Sequence, residues 1–178
     1  MDKQPSYLKL TLMVLLVGLL AACNNGNEAE SKNISVEKEF DEYRENVLEP
    51  LDERSIKIAE MLNHYASIVE QTEEAHRYLE EEVIPFMEET KKIASEAHDG
   101  LVNEEIRELN ETTIEYVELN LDSLRKTADL SALELEPVTE ETYQKAVKLN
   151  EENMELQEKI DRSGAEMDRK IDELVNEK

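Results

Sequence analysis

The stretch of residues 103–128, NEEIRELNETTIEYVELNLDSLRKTA, decides the fold. Its apolar and small side chains recur at spacings of three and four residues, which is the period of one face of an α-helix. Asn103 stands at the expected N-cap, and Glu104 and Glu105 follow in the first turn, where acidic side chains stabilise the helix dipole. The predicted buried face consists of Ile106, Leu109, Thr113, Tyr116, Val117, Leu121, Leu124 and Ala128.

The same helical period continues on both sides of this stretch. Ser35 is the expected N-cap of the first helix, and Thr139 is that of the last helix. The predicted buried positions of these flanking helices are Val36, Phe40, Tyr43, Val47, Leu51, Ile58, Leu62, Tyr65, Val69, Leu79, Val83, Phe86, Ile93, Ala97, Tyr143, Ala146, Asn150, Met154, Ile160, Met167, Ile171 and Leu174.

Proline and glycine mark the expected interruptions. Pro50 and Pro85 each predict a kink or a new helix start, because proline lacks the N–H that a helix interior needs. Gly100 is expected at the C′ position that ends a helix. Residues 131–138 break the period. Gly164, inside the last helix, predicts a kink, a close helix approach or simply a tolerated weak point.

Two helical arrangements satisfy this pattern. A break near Gln71, with Thr72 as N-cap, gives an all-α, antiparallel four-helix bundle, and this is the arrangement we favour, as a monomer. Without that break, residues 36–98 form one helix about 95 Å long within a three-helix, coiled-coil-like arrangement. The long helix would leave the apolar stripe of residues 36–69 uncovered, so this alternative predicts a dimer.

The N-terminal residues carry the most specific motif. Residues 10–22 are an apolar run of 13 residues, typical of a signal peptide and short for a bilayer span, which takes about 17–25 residues. The run ends in Leu20-Ala21-Ala22-Cys23, which resembles the lipobox of bacterial lipoproteins. In that family the cysteine thiol receives a diacylglycerol, and a signal peptidase cuts before the cysteine.

This resemblance implies a division of the chain and a location. Residues 1–22 would be a lipoprotein signal peptide, and residues 23–34 would be the lipidated Cys23 followed by a polar, flexible tether. Residues 35–178 would form the acidic helical bundle. Acyl chains on Cys23, such as palmitate, would hold the bundle outside the cytoplasm at the cell membrane.

The order of these segments is also similar to cell-wall-binding lipoproteins of Bacillus-like bacteria. The shared features are a lipobox, a short tether and a Glu-rich helical bundle whose first helix opens with EKEF, residues 37–40. Wall association at the cell envelope is what this resemblance implies.

Composition and motifs exclude several function classes. A formal net charge of −24 argues against binding to nucleic acid, which requires a basic face. The single cysteine excludes an intramolecular disulfide. No Gly-x-Ser-x-Gly turn or Gly-rich phosphate loop is present, so we predict no enzyme, no catalytic residue and no cofactor.

The histidines do not predict a metal site. Glu73 and His76 form one Glu-x-x-His spacing, whereas ferritin-like di-iron bundles need two such motifs and further inward glutamates. We therefore expect His64, His76 and His98 at the surface or at its boundary.

These observations leave two functional hypotheses. The first is a non-enzymatic interaction or spacer module at the cell envelope, with an envelope protein or a cell-wall component of unknown identity as its partner. The alternative is a lipoprotein that binds a small ligand or a metal ion between its helices. A continuous apolar core would favour the first hypothesis, and a buried polar cluster facing a cavity would favour the second.

The excess of acidic residues has three possible interpretations. It can be a solvated surface that keeps the protein soluble, an adaptation to high salt, or a means of attracting cations or a basic partner.

A salt titration tests the effect of this charge on stability. Acidic residues outnumber basic ones by 44 to 20, so repulsion between like charges should outweigh attractive pairs. Raising NaCl from about 0.02 M to about 1 M shortens the Debye length to about 3 Å, and we expect the Tm, measured by circular dichroism, to rise. A steady fall of the Tm would contradict this account. A rise specific to dilute calcium or magnesium would instead indicate cation binding.

Overall fold

The computed structural model describes residues 34–176, and 91% of them are helical, with no β-strand in this range. They form an all-α bundle of four helices joined by short connections. Helix α1 covers residues 36–68, helix α2 covers residues 72–100, helix α3 spans Glu104–Glu134, and helix α4 spans Glu140–Asn176. The break after residue 68 confirms the four-helix arrangement over the single long helix.

No helix within residues 34–176 combines the length and the apolar character that crossing a membrane requires.

Both outer N-caps form as the sequence predicts. Ser35 Oγ accepts a hydrogen bond from the N–H of Lys38 at 3.3 Å, and Thr139 Oγ1 accepts one from the N–H of Thr142 at 3.1 Å. The break between α1 and α2 lies one residue earlier than expected, because Gln71 is the N-cap and Thr72 is the first helical residue.

Two predicted interruptions were misplaced. Helix α3 continues to Glu134, through residues expected to break the period, because the next proline is Pro137. Gly100 does not adopt a left-handed backbone after a helix. Instead it completes a 3-10 turn, His98–Gly100, that ends α2.

The two mid-helix prolines are absorbed by π-helical turns. In α1 the turn Arg44–Leu48 precedes Pro50, and in α2 the turn Leu79–Val83 precedes Pro85. Proline lacks an N–H and its ring collides with the carbonyl four residues earlier, whereas the wider π turn relieves that collision. Both helices therefore continue past their prolines rather than ending there.

A buried carboxylate on α1 caps the start of α3. Glu39, 5% exposed, accepts hydrogen bonds from the backbone N–H groups of Val102 at 2.6 Å and Asn103 at 2.7 Å. Asn103 is the N-cap residue, as predicted, but its side chain makes no capping bond and instead donates to Glu39 at 2.8 Å. Glu39 thus binds the backbone N–H groups that lead into α3 and places a carboxylate at the positive end of that helix dipole, from a position 64 residues earlier in the chain.

The interior of the bundle is divided into two clusters. The first core is formed by residues of all four helices: Phe40, Tyr43, Val47, Ala94, Ile106, Leu109 and Leu174. The second core is formed only by residues of α1, α2 and α3: Met61, Leu79, Val83, Ile84, Met87, Val117, Leu121 and Ala128. All four helices therefore contribute buried residues to the first core, whereas α4 contributes none to the second.

This division corrects the predicted buried face of α4. Met167, Ile171 and Leu174, in its C-terminal half, reach the first core as expected. In its N-terminal half, Tyr143 is 59% exposed and Met154 is 65% exposed, so neither is a core residue. The close backbone partner of α4 is α3, and a helix held on one neighbour buries only a narrow stripe.

Hydrogen bonds and ion pairs fasten the N-terminal half of α4 to α3. Ser123 Oγ donates to Asn153 Oδ1 at 2.7 Å, and Lys126 pairs with Glu152. These polar contacts add to a narrow apolar stripe, in which Leu156 is 8% exposed and the predicted core residue Ile160 is 6% exposed.

Replacing Glu39 tests the cross-helix cap. We expect Glu39→Gln to lower the free energy of unfolding by about 2 kcal/mol, because the new amide presents N–H donors to the N–H groups that the carboxylate now satisfies. Urea denaturation followed by circular dichroism measures this change. Glu45→Gln is the matched control, since Glu45 is exposed on the same helix. Equal stabilities of the two variants would contradict the capping role.

Candidate functional site

A groove opens where the two cores meet, and residues of all four helices line it. Its volume is about 560 Å³, within the range of about 300–1,000 Å³ typical of small-molecule pockets. The groove exists because α4 follows α3 and reaches the other helices only through its C-terminal half, so α1 is left partly uncovered. Leu62 of α1, predicted to be buried, is 37% exposed and lines this opening.

The lining is mainly apolar. Leu51 and Ile58 of α1 lie on one side, and Met167 and Ile171 of α4 lie on the other. Deeper residues are also part of the second core, notably Met87 and Val117. Methionine side chains are flexible and polarisable, so this lining can adapt to ligands of different shape.

The contact between Gly164 and Tyr116 shapes one wall. An added Cβ at Gly164 would lie 3.1 Å from Tyr116 Cε2, closer than ordinary van der Waals contact. Gly164 therefore permits a close approach of α4 to α3, one of the three readings that the sequence left open. The half-buried Tyr116 ring, packed against Gly164, lines the groove.

A buried polar cluster lies beside the groove. The Tyr43 hydroxyl donates to Asn110 Oδ1 and Thr113 Oγ1, both at 3.1 Å, and Thr113 also lines the groove. Asn110 Nδ2 lies 3.3 Å from His98 Nδ1, which accepts this bond in its Nε2-protonated tautomer. Burial raises the pKa of Tyr43 to about 12, although its hydrogen bond with Thr113 opposes that shift.

A second polar contact fixes α1 on α2 at the groove. Arg54 Nε donates to Thr90 Oγ1 at 2.7 Å, and Arg54 Nη2 donates to the carbonyl of Phe86 at 2.9 Å. The guanidinium also lies 3.9 Å from the centroid of the Phe86 ring, a cation–π geometry. Thr90, which lines the groove, donates its own proton to the Phe86 carbonyl, so its hydroxyl is fully engaged within the protein.

Three lining residues keep unused hydrogen-bond acceptors. Within residues 34–176, no hydrogen bond or ion pair engages the carboxylate of Asp52, the hydroxyl of Tyr116 or the Oδ1 of Asn120. Asp52 is also the one charged residue among the described residues that line the groove, and no Lys, Arg or His is among them. The lining of the groove is thus mainly apolar, and it includes three hydrogen-bond acceptors to which no described residue donates.

The histidines considered in the sequence analysis do not line the groove. Cys23 and the rest of the predicted lipobox lie outside the described residues. His64 is exposed and meets the Tyr78 ring edge-on at a centroid distance of 4.8 Å. His76 is half-buried, and its buried Nδ1 has no hydrogen-bond partner in the described part of the chain. Within residues 34–176, no three His, Cys, Asp or Glu side chains are grouped closely enough to hold a metal ion.

The groove could not be predicted from the sequence, because the residues that line it belong to ordinary apolar stripes of helices. Tyr116, Val117 and Thr113 were predicted as core positions, and nothing in their spacing indicates that α4 leaves part of the interior open. The lone glycine at position 164 was the one local signal of a close contact on this wall.

Replacing Tyr43 tests the polar cluster and its pH dependence. Because burial raises the pKa of Tyr43 from 10 to about 12, the folded state favours the neutral phenol, and this contribution to stability is complete below pH 10. It is lost between pH 10 and about 12, at about 1.4 kcal/mol per pH unit. Tyr43→Phe should lower stability at pH 7 by about 1–2 kcal/mol, because Asn110 loses a donor, and its deficit should shrink above pH 10.

Urea denaturation at several pH values measures this difference. Tyr143→Phe is the matched control, because that ring is 59% exposed, and it should leave stability unchanged at pH 7. A deficit of Tyr43→Phe that stays constant up to pH 12 would contradict the assigned role.

Comparison with known proteins adds no assignment for this site. No protein-family model matches the chain, and neither a curated protein nor a solved structure matches it. The chemistry of the groove therefore has to be argued from its own residues.

Proposed function

We propose that the chain is an extracytoplasmic lipoprotein, anchored to the cell membrane through Cys23, whose bundle is a non-enzymatic interaction or spacer module at the cell envelope. The observation that carries this proposal is the lipobox of residues 20–23 after an apolar run of 13 residues. The bundle begins only at residue 36, which leaves a polar tether between the lipid and the first helix. An envelope protein or a cell-wall component would be its partner.

The surface of the bundle suits such a module. Glu80, Glu81 and Glu82 are exposed side by side on α2, and the chain as a whole carries a net charge of −24. A long acidic surface attracts basic groups of a partner and repels anionic lipid headgroups, which would keep the bundle away from the membrane plane.

The lipid anchor is tested by replacing the cysteine. In a bacterial host fed an alkyne-labelled palmitate, the unaltered chain should be labelled, cut before Cys23 and accessible to protease added to intact cells. Cys23→Ala should lose the label completely and remain uncut or be released, because no other thiol is present.

Asn24→Ala is the matched control, since it alters the next residue but leaves the motif intact. Mass spectrometry of the mature N-terminus measures both processing steps. A mature N-terminus elsewhere, or one without acyl chains, would refute the proposed anchoring.

A second function, binding of a small ligand between the helices, is favoured by the groove. A buried polar cluster containing Thr113 borders a cavity of about 560 Å³, which is the arrangement expected of a ligand-binding bundle. In this reading the lipid anchor would keep a binding protein at the membrane surface.

A further inference from the structure

We propose that the groove binds an amphiphilic cation, a molecule with an elongated apolar body and a protonated amine at one end. This inference rests on the ligand-binding function proposed above and names its ligand class. Three features of the groove carry it: its shape, its hydrogen-bonding groups and its charge, the last two of which both involve Asp52.

The shape fits an elongated apolar body. The wall contributed by α1 runs from Leu48 to Leu62, which is about 21 Å along the helix axis. Met87 and Val117 supply buried apolar surface along its depth, and Met167 closes the opposite side. Burying an alkyl chain there stabilises the complex by about 0.8 kcal/mol for each methylene group removed from water.

The hydrogen-bonding groups select a donor. The carboxylate of Asp52 and the Oδ1 of Asn120 can only accept hydrogen bonds, and the Tyr116 hydroxyl can accept one as well. The hydroxyls of Thr90 and Thr113 already donate to the carbonyls of Phe86 and Leu109. The Tyr116 hydroxyl and one N–H of Asn120 can still donate, so the preference for a donor rests on the Asp52 carboxylate. An ammonium group, with three N–H donors and no acceptor, complements this set.

The charge selects a cation. Among the described residues, Asp52 is the one charged residue that lines the groove, and the basic residues that follow it on α1 form contacts elsewhere. Arg54 bonds to Thr90 and to Glu89, and Lys57 pairs with Glu60 at 3.0 Å. No described residue therefore neutralises the carboxylate of Asp52, and the net charge of −24 further favours cations over anions.

The bundle can be studied without its N-terminal residues. Residues 32–178 form one compact unit, and both cores lie entirely between residues 36 and 174. The soluble segment of residues 24–178 is thus suitable for binding measurements, and it avoids the detergent that a lipid anchor would require, which would itself compete for an apolar groove.

Three probes that share a decyl chain and differ in their polar head group separate the contributions of chain and head group to binding. Decylammonium, decanol and decyl sulfate are titrated into the segment by calorimetry at about 0.15 M NaCl, below their micelle-forming concentrations, where exposed charges are screened beyond about 8 Å. We expect decylammonium to bind saturably with one molecule per chain, decanol to bind more weakly, and decyl sulfate to bind most weakly.

Matched variants locate the binding. Asp52→Asn should weaken decylammonium binding about fivefold and leave decanol binding unchanged, because it removes only the charge that contacts the head. Glu53→Gln, the same loss of charge on the next residue outside the groove, should change it less than about twofold. Ala59→Phe should abolish binding of all three probes by filling the groove, and Ala66→Phe, on an exposed position of the same helix, should not.

A measurement on the unaltered segment provides a check that does not depend on any variant. The methyl resonances of Met87 and Met167, which line the groove, should shift on addition of decylammonium. The methyl resonance of Met154, which is exposed outside the groove, should stay in place.

The outcomes distinguish the ligand class from the function. If decyl sulfate binds as tightly as decylammonium, or Asp52→Asn behaves like Glu53→Gln, the cationic head is wrong, while decanol binding that Ala59→Phe abolishes would keep the ligand-binding function. If none of the three probes shifts Met87 and Met167, the groove is not a ligand site and both ideas are overturned.

Discussion

The burial of α3 is the constraint on which the rest of the structure depends. Its side chains contribute to both cores, through Ile106 and Leu109 in the first and Val117 and Leu121 in the second. All four helices are strongly charged and amphipathic, and α3 packs against each of the other three. Because each helix can bury only one apolar stripe, the bundle forms around α3, the helix that the other three contact.

The way in which α4 covers α3 produces the groove. Its C-terminal half makes apolar contacts with the first core. Its N-terminal half lies along α3, where Leu156 is buried and polar pairs such as Ser123 with Asn153 form. Because these contacts join α4 to α3 only, the N-terminal half of α4 does not cover the second core. The face of α1 around Leu62 then stays open, and the opening is shared by all four helices.

Polar side chains inside the bundle fix the helices in register around this opening. Glu39 ties α1 to the start of α3, Tyr43 ties α1 to the middle of α3, and Arg54 ties α1 to α2. Buried polar groups of this kind are costly unless every bond is formed, so they allow few alternative packings of the helices. Two of these contacts, those of Tyr43 with Thr113 and of Arg54 with Thr90, border the groove and so fix the position of its walls.

The sequence by itself determined the helical class and most of the buried face of α3, because both follow from local spacing. It favoured the four-helix division without deciding it, because one helix over residues 36–98 would leave its apolar stripe uncovered. It also determined the caps at Ser35 and Thr139, which act within a single turn. The tertiary structure alone decided that Glu39 rather than Asn103 caps α3, that Tyr143 and Met154 stay exposed, and that Asp52 and Tyr116 meet at one groove. Those outcomes depend on contacts between residues far apart in the chain and on how fully one helix covers another, and a period of three to four residues carries no information about either.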